Sequence, residues 1–152
     1  MRRPAALLAL FVACASACDH RYETYVAELD GALEGVTTSA RGRAILLVSR
    51  EGDRAEITLS VADVSSAILG SYVRRAPRGQ TGPPVYTLWE PGQGDFGNEA
   101  AILRVWDESR PPGGGVAFDA AMLGELRAGN LYVNVQTRAR PSGEVRGQLL
   151  PE

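Results

Sequence analysis

From Tyr25 onward, apolar and polar residues alternate in short runs separated by turn-forming residues. A period of two sends successive side chains to opposite sides of an extended chain, so each run predicts a strand with one buried and one wet face. The runs are Tyr25–Leu29, Arg43–Ser49, Arg54–Val61, Ala67–Val73, Val85–Trp89, Ala101–Trp106, Val116–Phe118, Leu131–Thr137 and Val145–Leu150. In the third, Ile57, Leu59 and Val61 face one way while Glu56, Thr58 and Ser60 face the other. Glu51-Gly52-Asp53 is a tight hairpin connection, and Arg138 to Gly143 carries the Pro, Ser and Gly of a second turn.

Helical periodicity is confined to Asp119–Arg127, where Asp119 can cap a turn or two carrying Ala120, Ala121, Met122, Leu123 and Leu126, closed by Gly129. Gly- and Pro-rich loops fill Arg74–Pro84, Pro91–Asn98 and Arg110–Gly115. Short strands punctuated by turns, with no repeat and no heptad, predict an all-β fold: an antiparallel β-sandwich or barrel, immunoglobulin-like, with one short helix before the C-terminal hairpin. Trp89 and Trp106 are read as core residues, with a sugar-stacking platform as the alternative.

The first residues have a different character. Arg2 and Arg3 precede an apolar run from Ala5 to Ala13, and Ala15-Ser16-Ala17 stands directly before Cys18. This is the layout of a secretory signal peptide, and Ala-Ser-Ala-Cys resembles a bacterial lipobox, whose Cys becomes the lipidated first residue. We expect residues 1–17 to be a signal peptide, 18–24 a lipid-anchor tether and 25–152 one β domain. Cys14 is the second candidate for lipidation; plain secretion after Ala17 and a cytosolic protein with an apolar start are the alternatives. The run is shorter than the roughly 20 residues needed to span a bilayer, as is every later apolar stretch. The implied location is the cell envelope, periplasmic or surface, with the membrane contacted through lipid.

Processing at Cys18 removes two of the 16 basic residues and none of the 18 acidic ones, moving the formal charge from −2 to −4. That balance argues against a nucleic-acid partner. The mature domain keeps no thiol for a disulfide or a nucleophile, and the single histidine, His20, lies in the tether. We therefore expect no catalytic residues, no metal and no cofactor. Asp95, Glu99, Asp107 and Glu108 lie near the Gly-rich loops without calcium-loop spacing. Cys18-Asp19-His20 is discounted as a metal site because lipidation consumes the thiol.

The stretch Leu126-Arg127-Ala128-Gly129-Asn130-Leu131-Tyr132-Val133-Asn134-Val135-Gln136-Thr137, followed by Pro141-Ser142-Gly143-Glu144-Val145-Arg146-Gly147-Gln148-Leu149, resembles the C-terminal signature of the chordin-type (CHRD) domain family. Tyr25-Val26-Ala27-Glu28-Leu29-Asp30-Gly31 and Gly42-Arg43-Ala44-Ile45-Leu46 are similar to the family's opening strands. Three family histidines are missing: Gln136 stands at one, and Tyr72-Val73-Arg74 at an H-I-H segment. The resemblance implies a non-catalytic binding or structural module displayed outside the membrane. The family's histidines suggest the alternative, an envelope metal-handling protein or enzyme.

Two groups are candidates for ligand contact. Glu144 and Arg146 lie two apart and share a strand face with Asn134 and Gln136 of the partner strand, either as a recognition row or, preferably, as an ion pair fixing hairpin register. Arg74, Arg75 and Arg78 form a basic loop that either docks an anionic glycan, a phosphate group or an acidic protein, or stays solvated. The ligand and the oligomeric state are left open by the sequence.

Overall fold

The computed structural model describes residues 22–91, 93, 97–109, 111 and 115–152. The leader, Cys14, Cys18, His20 and Asp95 lie outside the described residues.

Among the described residues, nine strands form two packed antiparallel sheets. The chain runs β1 (Tyr22–Leu29), a 3₁₀ turn (Ala32–Glu34), β2 (Arg41–Ser49), β3 (Arg54–Ala62), β4 (Ile68–Arg75), β5 (Pro84–Trp89), β6 (Ala100–Asp107), α1 (Ala120–Arg127), β7 (Leu131–Thr137), β8 (Val145–Gln148) and β9 (Leu150–Pro151). One sheet has the order β6-β3-β2-β1-β9 and the other β5-β4-β7-β8. The all-β sandwich with a single α-helix before the last hairpin is the expected one. Its strand order departs from the immunoglobulin pattern: β2 and β3 pair within one sheet, where that pattern puts the second and third strands in opposite sheets.

Alternation carries the packing as expected. In β3, Ala55, Ile57, Leu59 and Val61 are buried, and Tyr25, Ala27 and Leu29 of β1 with Ala44, Leu46 and Val48 of β2 complete one inner face. Val73, Leu88, Leu131, Val133, Val135 and Val145 supply the other. Both tryptophans are core residues: Trp106 is fully buried, with its ring stacked at 4.9 Å on Tyr86 and edge-on at 5.1 Å to Phe118. Its indole N–H donates to the Val116 carbonyl at 2.7 Å, so the polar atom is satisfied inside the core.

Among the differences from the sequence reading, two bear on how the elements connect. Tyr22 to Thr24, assigned to the tether, continue β1 in register with β2 as far as Ser49; an exposed polar start carries no alternation signal. Val116–Phe118 is not a strand. It laces β5 to β6 through Val116 N–H to the Val85 carbonyl (2.8 Å) and Phe118 N–H to the Asp107 carbonyl (2.7 Å).

The helix matches its sequence signals. Asp119 adopts an extended cap conformation and its carboxylate accepts from Met122 N–H at 2.9 Å, while Met122, Leu123 and Leu126 turn into the core. Asp119→Ala should lower stability by about 1 kcal/mol, the usual worth of such a cap; equilibrium urea unfolding checks it, with Asp119→Asn expected to retain most of the midpoint.

Candidate functional site

The C-terminal hairpin is where the two sheets join. Chain direction carries β8 along β7, and after Leu149 the chain passes to the other sheet, where Leu150 and Pro151 pair with Val26 and Tyr25. Asp30, at the end of β1, exchanges backbone hydrogen bonds with Arg146 at 3.2 and 2.9 Å, bridging the sheets a second time. This crossing needs Gly147: a Cβ there would lie 2.4 Å from the Glu28 carbonyl oxygen, closer than any side chain tolerates.

Glu144 and Arg146 do not form the expected pair. The Glu144 N–H bonds to the Val135 carbonyl at 2.8 Å although Val135 is the register partner of Val145, so two residues oppose one. That is the geometry of a β-bulge, which re-aims a side chain out of the strict alternation. It follows Gly143, whose φ of +148° is one that side chains rarely adopt. Glu144 consequently turns into the end of the sandwich, and Arg146 stays on the outer face of the β5-β4-β7-β8 sheet.

The Glu144 carboxylate is fully buried. It accepts from Thr38 Oγ1 (2.7 Å) and Ser65 N–H (2.9 Å) on one oxygen, and from Ser65 Oγ (2.9 Å) and Thr137 Oγ1 (2.7 Å) on the other. Burial pushes its pKa up, but hydrogen bonds from Thr137, Thr38 and Ser65 together outweigh burial and hold it below the ordinary carboxylate value. With these four donors in place it is a brace between three connections, and its oxygens are turned away from any external ligand.

Arg146 is buried too, with its guanidinium 3.5 Å from the centre of the Tyr132 ring and one terminal N–H donating to the Gln80 carbonyl at 2.6 Å. Gln148 donates to the carbonyls of Ala76 (3.0 Å) and Gly129 (2.7 Å). Tyr132 Oη accepts from Gly82 N–H, and Arg74 donates to the Gly82 carbonyl (3.0 Å) and to Asn134 Oδ1 (3.1 Å). Asn134, itself buried, donates to the Ser142 carbonyl at 3.3 Å. The outward side chains of β7 and β8 thus hold residues 76–82 down over their own sheet.

Glu34, on the 3₁₀ turn, completes this layer: its carboxyl lies within 2.7 Å of where a Gly143 Cβ would stand. Burial raises its pKa, opposed by the charge of Arg146, a hydrogen bond with Asn134 and the charge of Arg74.

The structure therefore brings together Arg74, Asn134 and Arg146, and separates them from Glu144. Gln136 lies half-exposed on the same face, opposite Gly70. Arg75 and Arg78 are exposed; Arg78 lines a groove of about 330 Å³ with Glu28, Asp30, Leu33 and Gln148. The sequence reading missed Thr38, Ser65, Glu34 and Gln80, because contacts spanning 106 and 79 residues leave no local signal. Among the described residues, no group of three or more His, Cys, Asp or Glu is placed to hold a metal.

The CHRD domain family matches residues 25–149, and the chain belongs to that family. No curated protein matches it significantly, and no solved structure does.

Two substitutions test the brace. Glu144→Gln should cost about 2 to 3 kcal/mol by turning donors toward donors, and Gly147→Ala a similar amount by forcing β8 away from β1. Because the folded pKa of Glu144 is depressed, its contribution is present above the unfolded value of about 4.3 and lost as pH falls through the lower folded value. Urea midpoints measured from neutral pH down to the acid limit should show wild type and Glu144→Gln converging below about pH 4.

Proposed function

We propose that this chain is a non-catalytic binding or structural module of the cell envelope, held to the membrane by lipid on Cys18, with exposed Arg75 and Arg78 presenting positive charge to an anionic protein or glycan. Membership of the CHRD family marks an extracellular type of domain, and among the described residues no helix is long and apolar enough to cross a membrane. The observation that carries the reading is the use made of the signature's polar groups: Glu144, Arg146, Gln148 and Asn134 are buried and spent on bracing the fold. A domain that invests its charged signature in rigidity offers a scaffold, and contact falls to its exposed loops. The positions of the family's histidines support this against metal handling. Tyr72 lies over Gly70, and Arg74 is tied to Asn134 and Gly82; an arginine, always protonated, is no metal ligand.

Cys18→Ala should shift the protein from the membrane pellet to the soluble extracytoplasmic fraction, read by fractionation and by loss of a metabolically incorporated fatty acid. If that variant still pellets and Cys14→Ala releases it, the anchor is the other cysteine. Stoichiometric transition metal in protein purified without a metal-affinity step, lost together with thermal stability on chelation, would instead favour the metal-handling reading.

A further inference from the structure

The two outer faces of the sandwich are treated differently. Residues 76–82 cover the outer face around β7 and β8, whereas the outer face of the β6-β3-β2-β1-β9 sheet carries a row that is apolar but for Thr58. Register places Leu150, Val26, Ile45, Thr58 and Leu103 side by side across all five strands, and Thr24, Leu47, Glu56 and Val105 in the next row. Among the described residues, the most exposed large hydrophobic side chains are Leu103 (63%), Tyr22 (49%), Val105 (45%), Val116 (43%) and Leu150 (42%), and all but Val116 lie on this face. An antiparallel sheet with one solvated side ordinarily shows polar residues there, and contiguous exposed apolar surface marks an interaction site.

The rim of this face is charged but internally neutralised. Arg54 pairs with Glu56 at 2.7 Å on one side, and Arg43 pairs with Glu28 at 3.2 Å and Glu152 at 3.8 Å on the other. An apolar centre inside a polar rim is the anatomy of a protein interface. The rim presents no field of one sign, which gives an anionic bilayer or a highly charged partner nothing to pair with.

We propose that this face binds a second copy of the same chain, making a symmetric dimer by sheet-on-sheet packing. A two-fold axis running along this row, across the strands, sets Ile45 opposite Ile45 and Leu103 opposite Leu103, so the row meets itself. The same axis turns the row of Glu28, Arg43 and Ser60 in one copy onto the row of Thr24, Leu47 and Glu56 in the other, so Arg43 meets Leu47 beside Glu56 and no like charge faces its equal. With strands about 4.8 Å apart and same-face residues about 7 Å apart, five strands by three rows give roughly 500 Å² per copy. That total of about 1,000 Å² lies at the low end of specific interfaces, so the dimer is a reversible one with a dissociation constant on the order of micromolar.

The test uses the full chain carrying Cys18→Ser, so that no lipid contributes to association, in analytical ultracentrifugation from about 1 to about 200 µM, a range spanning micromolar dissociation constants. A monomer–dimer equilibrium is expected, abolished by Ile45→Lys with Leu103→Lys and unchanged by Arg75→Glu, which lies in the other sheet. Far-ultraviolet circular dichroism and urea midpoints confirm that the lysine variant stays folded; if it does not, Thr58→Arg, at an already exposed position, replaces it. A monomer at every concentration overturns the proposal, as does a dimer that survives both the lysine and the arginine substitutions. A monomer that instead co-sediments with neutral phosphatidylcholine vesicles, and stops doing so in the lysine variant, overturns it in favour of a membrane-docking face.

Discussion

A carboxylate sealed inside a β-sandwich has to be answered by donors from several directions, and that requirement organises this fold. Glu144 is met by Thr38 from the connection before β2, Ser65 from the connection between β3 and β4, and Thr137 from the end of β7. Each comes from a different part of the chain, and together they fix where the loops at that end may lie. An unmatched charge at this position would cost several kcal/mol; matched four times, it specifies one arrangement. Beyond the bulge that aims Glu144 inward, β8 keeps register with β7 as far as Gln148, and only at Leu150 does the chain join the other sheet.

Much of the fold is legible in the sequence because it rests on short-range physics. Alternation in Arg54–Val61 fixes which face of β3 is buried, and Asp119 with the apolar residues after it fixes the helix. The failures have physical causes of equal clarity. Period two predicts that Glu144 and Arg146 share a face, and one extra residue opposite Val135 breaks that rule locally. Tyr22–Thr24 pair with β2 through backbone groups, which alternation of side chains does not report. The donors to Glu144 are ordinary hydroxyls whose role exists only after the chain has folded.

Within the CHRD assignment, the signature Gly-Glu-Val-Arg-Gly-Gln-Leu at residues 143–149 can be read residue by residue as a joint. Gly143 makes room for Glu34, Glu144 gathers the loops, and Val145 fills the core. Arg146 lies on Tyr132, Gly147 admits the Glu28 carbonyl, Gln148 clamps Ala76 and Gly129, and Leu149 returns to the core.

The position of β1 also decides how the domain carries load. β1 lies inside its sheet, paired with β2 along its whole length and with β9 on its other side. A pull on Tyr22, opposed at the far end of the sandwich, acts along the strand and strains eight register pairs with β2 at once. Hydrogen bonds loaded in parallel yield together, whereas those at a peeled edge yield singly, and forced unfolding is governed by that barrier rather than by equilibrium stability. Tension applied along the first strand would therefore be shared across the whole β1–β2 ladder.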